Sequence, residues 1–123
     1  MECLMDNVIK SDILNEVMHF KKLKNGLEIY VLPKPGFNKQ FAIYATRYGS
    51  NDISFIVPGE KEVTTVPLGI AHFLEHKLFE EEEGNVFDDY ANLGAQPNAF
   101  TNFNATAYHF TTTDNFNANC EKC

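Results

Sequence analysis

The stretch that decides how this chain is read is Leu68-Gly69-Ile70-Ala71-His72-Phe73-Leu74-Glu75-His76-Lys77-Leu78. Ile70, Phe73, Leu74 and Leu78 recur every three to four residues, which predicts a helix from Leu68 to about Glu82 with Gly84 as its stop. On such a helix His72 and His76 share one face, one turn apart. Two imidazoles at that spacing can reach a single metal ion. Glu75 falls at the edge of the same face, close enough to hold water beside the metal without being a ligand. Zinc lowers the pKa of bound water to about 7, and a neighbouring carboxylate can take the proton and pass it to a leaving amine. The order is the reverse of the H-E-x-x-H arrangement. Two incidental histidines would be the plainer explanation, but the helix is apolar on this side, where a solvated face would carry more charge.

Outward from that helix, the flanks read mostly as strands. Val17 to Leu23 alternates and meets Asn25-Gly26, a signal for a type I′ hairpin with Leu27 to Leu32 as the returning strand. Phe41 to Tyr48 and Ile53 to Val57 predict two more strands around the turn Gly49 to Asp52. Glu60 to Pro67 reads as a loop. Downstream, Asn85 can cap a short helix, Val86 to Leu93, stopped by Gly94. Pro97 to Thr101 and Ala105 to Thr112 predict two strands, and Asp114 an N-cap for a further helix. The order β-β-β-β-α-α-β-β implies an α+β fold, a mainly antiparallel sheet with helices on one face.

Composition narrows the function. The 123 residues fit one modest domain, and 44% hydrophobic with 13% aromatic content supports a packed core. The net charge of −7 and the lack of a basic stripe argue against a nucleic-acid partner. Residues 1–16 carry Glu2, Asp6, Asp12 and Glu16, unlike a secretory or mitochondrial leader. No run approaches the ~20 apolar residues of a membrane span. The expectation is a cytoplasmic protein without a membrane partner. Cys3, Cys120 and Cys123 read as reduced thiols, and the Cys120/Cys123 pair lacks the partners that would complete a zinc site. His19 and His109 sit singly in strands and read as packing residues.

Two motifs resemble the pitrilysin/insulinase family of zinc metallopeptidases. Members carry Gly-x-x-His-Phe-x-Glu-His followed by an apolar run ending in Phe, and Gly69 to Phe79 fits almost throughout, with Lys77 replacing a usually apolar residue. About twenty residues on, Leu93-Gly94-Ala95-Gln96-Pro97-Asn98-Ala99-Phe100-Thr101 matches the family's Gly-Ala and Asn-Ala-aromatic-Thr pattern. By itself Asn98-Ala99-Phe100 would pass for an ordinary strand end. The resemblance implies that His72 and His76 bind zinc, that Glu75 is the catalytic base, and that Asn98, Ala99 and Phe100 lie on an edge strand where an extended peptide substrate adds. It also implies a third zinc ligand, a Glu on a later helix beyond Cys123. Glu80 and Glu83 are poor substitutes, since one helix cannot wrap three ligands around an ion, and Glu80 to Glu83 reads as a solvated helix end.

The expected organisation is therefore an N-terminal extension, 1–16, and the first part of a metallopeptidase domain, 17–123, incomplete before the distal ligand helix. The expected activity is zinc-dependent peptide hydrolysis in a longer protein, with this chain inactive alone. The missing C-terminal half or a homologous subunit would be its partner. The alternative is a catalytically silent homologue serving as a structural or assembly subunit, which would be free to lose His72, Glu75 and His76.

Overall fold

The computed structural model describes residues 7–78, 80–81 and 84–121. It divides into two compact units, residues 1–37 and 38–123.

The described part of the first unit is an antiparallel meander of β1 (Asn7–Ser11), β2 (Glu16–Lys22) and β3 (Glu28–Val31), in that order. Sequence reading begins the sheet at Val17 and misses β1, whose short Val8-Ile9 core carries little periodic signal. The aromatic rings of Phe20 and Tyr30, cross-strand partners, stack with centroids 4.9 Å apart. The β2–β3 turn corrects the type I′ expectation. That turn needs positive φ at both central residues, and here only Gly26 has it, at 91°. Gly26 N–H donates to Leu23 C=O at 2.9 Å, while Asn25 Oδ1 accepts from Leu27 N–H at 3.1 Å. This is the longer hairpin loop with a glycine bulge. Asn25 stabilises it through its side chain instead of a left-handed backbone.

The second unit is built on a three-stranded antiparallel sheet in the order β4 (Gln40–Thr46), β10 (Thr106–Thr112), β9 (Ala95–Thr101). Glu60 to Pro67, expected as a loop, contains the strand β6 (Val63–Thr65), which pairs with β5 (Ser54–Ile56). A run as short as Val63-Thr64-Thr65 is β-favouring but too brief to show a period. The motif helix α1 spans Ile70–Lys77, shorter than expected. Glu80–Glu81 and Gly84–Asn85 instead form two-residue strands, β7 and β8, so Gly84 is not the helix stop. Negative charge at a helix C-terminus opposes the macrodipole, and α1 ends before the glutamate run with His76 and Lys77 in its last turn.

Helix α2 spans Val86–Asn92 and is stopped by Gly94 at φ 77°, as expected. The last helix, α3 (Phe116–Cys120), starts from Asn115 at φ 55°, not from Asp114. Asp114 N–H instead donates to Thr112 Oγ1 at 3.2 Å, tying that residue back to the strand end.

Strand register explains how the helices meet the sheet. Thr101 pairs with Thr106, so Thr101, Thr106, Tyr108 and Phe110 share one face. Phe110 is fully buried there, with ring centroids 5.5 Å from Tyr90 of α2 and 5.6 Å from Phe116 of α3. Tyr90, Ala95 and Phe110 form the buried centre, with Ala42, Val86 and Phe116 packed around it. All three helices lie on this face, which fixes α1 over the end of β9.

Candidate metal centre

Helix α1 presents its motif to the sheet as the spacing requires. The Nε2 atoms of His72 and His76 are 2.8 Å apart, with ring centroids at 4.7 Å. At a zinc–nitrogen distance of about 2.0–2.1 Å, one ion could touch both nitrogens. Two neutral imidazoles on one helical face suit a borderline divalent ion such as zinc. Among the described residues, no group of three or more His, Cys, Asp or Glu side chains converges on such a point.

Glu75 points differently from the histidines. It is 8% exposed, while His72 and His76 are exposed. Its Oε2 accepts a hydrogen bond from Thr101 Oγ1 at 2.9 Å. Thr101 lies 3.4 Å from Thr106 Oγ1, and Thr106 Oγ1 donates to Tyr48 C=O at 2.8 Å. Beside them, burial and then the negative charge of Glu75 raise the Tyr108 phenol above its ordinary 10.0. Tyr108 therefore stays neutral at physiological pH and adds no second negative charge beside the carboxylate.

A cleft of about 440 Å³ opens beside the helix, lined by His72, Glu75, His76, Phe87, Asn98, Ala99, Phe100 and Thr101. All six residues singled out from the sequence thus meet in one place. Strand β9 hydrogen-bonds only to β10 among the described strands, which makes it a sheet edge. Pro97 fits such a position, because it cannot donate to a second ladder.

Sequence reasoning assigned no role to Phe87 or Thr101. The signal for Thr101 was present: it is two residues beyond Ala99 and so shares its face. Phe87 gave none, because its approach depends on how α2 docks. Glu80 belongs to β7 and not to α1, so it is not on the helix that carries His72 and His76. Glu83 and Cys123 lie outside the described residues, and Cys120 is exposed at the end of α3. His109 packs between Phe41 and Phe100 on the far face of the sheet, with centroids at 5.4 and 6.4 Å. No described helix is long and apolar enough to cross a membrane.

Two histidines and a glutamate on one helix beside a sheet edge are the features to compare with known proteins. The model of the insulinase family, peptidase family M16, matches residues 59–118. The uncharacterized zinc protease YmfH of Bacillus subtilis strain 168 is 51% identical over 113 residues, covering 92% of this chain and 26% of that protein. An uncharacterized zinc protease of Rickettsia bellii is 30% identical over 100 residues, covering 78% of this chain and 22% of that one. The crystal structure of a protein named as an M16-like peptidase, from Alicyclobacillus acidocaldarius, superposes with a TM-score of 0.79 at 40% identity. That match covers 87% of this chain and 25% of the other. The chain belongs to the insulinase family. It spans about a quarter of the length of the curated relatives it matches.

Proposed function

We propose that this chain supplies the metal-binding helix, the base and the substrate edge of a zinc-dependent peptide hydrolase, with His72 and His76 holding the ion. The observation that carries this reading is the pair of Nε2 atoms 2.8 Å apart beside a buried, hydrogen-bonded Glu75. When bound, zinc would polarise a peptide carbonyl and acidify water. An extended peptide adds to β9 as another strand, held by backbone hydrogen bonds at Asn98, Ala99 and Phe100. The Glu75 carboxylate accepts a proton from the attacking water as its oxygen bonds to the carbonyl carbon. Glu75 then delivers that proton to the amide nitrogen as the C–N bond breaks.

Catalytic zinc sites use three protein ligands and an open position. The third ligand, and the wall opposite β9, come from sequence outside these 123 residues. Support for this is the two-ligand geometry together with a named zinc protease roughly three and a half times as long. Equilibrium zinc binding tests the reading. The protein at the length of its relatives should bind one zinc per chain, at least about 100-fold more tightly than residues 1–123. His72→Ala or His76→Ala should abolish that binding. Equal affinity in the His72→Ala variant would refute the assignment.

A further inference from the structure

Under the proposed function Glu75 must hold one orientation beside the metal, and the hydroxyls beneath it are placed to fix it.

Thr106 is 3% exposed, and its only proton goes to Tyr48 C=O at 2.8 Å. Its oxygen can therefore only accept from Thr101, 3.4 Å away. Thr101 has one proton and two possible acceptors, Glu75 Oε2 at 2.9 Å and Thr106 Oγ1. The carboxylate is the closer and the stronger acceptor, so it takes that proton. The bond engages Oε2 and leaves Oε1 for the reacting proton, so Thr101 holds the carboxyl without competing for that proton.

We infer that Thr101 is a positioning residue whose hydroxyl holds the Glu75 carboxyl in place, backed by Thr106. This rests on the reading of Glu75 as the base, but the geometry of the hydroxyl pair does not. Strand register supports it independently. Thr101 and Thr106 are cross-strand partners at the end of the β9–β10 ladder, so their side chains stand together on the helix face.

The test uses the protein at the length of its relatives and compares Thr101→Val, which keeps the shape and loses the hydroxyl, with Thr101→Ser, which keeps the hydroxyl. Thr101→Val should lower kcat roughly tenfold or more on a peptide substrate, with KM and zinc content unchanged. Thr101→Ser should retain at least about half of kcat, since the hydroxyl is what acts. Crystal structures of the zinc-free variants give a readout independent of turnover. Glu75 Oε2 should stay within hydrogen-bond distance of residue 101 in Thr101→Ser and leave that position in Thr101→Val. Equal kcat in the two variants, or an unmoved carboxylate in Thr101→Val, overturns the inference. Should Glu75→Gln prove fully active, the function reading fails while the crystallographic comparison still decides the role of Thr101.

Discussion

Gly49 lies where the chain after β4 crosses the β9–β10 turn, and replacing it with alanine gives a calculable result. A Cβ there would sit 2.5 Å from both Ala105 N and Asn104 N and 2.6 Å from Asn102 O. All three are backbone atoms, so no side chain can swing aside. Reaching ordinary contact means moving one strand of backbone by nearly 1 Å against the bonds that tie the segments together. These are Ser50 N–H to Asn102 C=O at 2.9 Å and Asn51 N–H to Phe103 C=O at 3.0 Å. Overpacking of this kind costs about 1–3 kcal/mol, and a lost backbone hydrogen bond about 1 kcal/mol more. Gly49→Ala should therefore destabilise the second unit by about 3 kcal/mol. In a unit of this size that lowers Tm by roughly 12–24 °C. Thermal unfolding followed by far-ultraviolet circular dichroism suits a chain without tryptophan. Hydrogen exchange at the Ser50 and Asn51 amides should accelerate alongside. A Tm within about 3 °C of wild type, with both amides still protected, would show that the crossing is looser than the contact distances imply.

Phe110→Ala empties the fully buried centre between Tyr90 and Phe116 and should cost about 3–5 kcal/mol in denaturant unfolding, where a cost below about 1 kcal/mol would contradict the packing. Tyr108 has its pKa raised above 10.0 in the fold, by burial and then by Glu75, so its contribution to stability is complete below pH 10 and is lost as pH rises through the higher folded value. Tyr108→Phe should remove that part of the alkaline decline in Tm, and an unchanged decline would argue against the shift. Residues 1–123 alone should cleave peptides at or near background; chelator-sensitive turnover by this length would mean that a ligand within the chain completes the site.

The motif and the longer elements were legible because both rest on local periodicity. The spacing of Ile70, Phe73, Leu74 and Leu78 placed the helix, and with it the shared face of His72 and His76. The limits of α1 were less legible, because apolar spacing says nothing of how four consecutive glutamates act on a helix end. The strand β6 escaped because three residues cannot show a period, and β1 because its apolar pair Val8-Ile9 shows none either. The hairpin at Asn25-Gly26 was found but its turn type was not. The same dipeptide serves two loops, and the choice lies in the backbone angle of Asn25. Of the candidate site, the sequence located His72, Glu75, His76 and the edge strand. The contact of Thr101 with Glu75 spans 26 positions and depends on α1 docking over β9, which no local pattern encodes.

The central claim is that Glu75 is the base beside a metal held by His72 and His76. Its most direct test is peptide turnover and zinc content measured together for wild type and Glu75→Gln, in the protein at the length of its relatives. Wild type should hydrolyse peptides in a chelator-sensitive manner with about one zinc per chain. Glu75→Gln should keep the zinc and lose turnover by roughly 100-fold or more, since glutamine cannot take the proton. A Glu75→Gln variant that keeps its turnover, or one that loses its zinc along with it, would contradict the account.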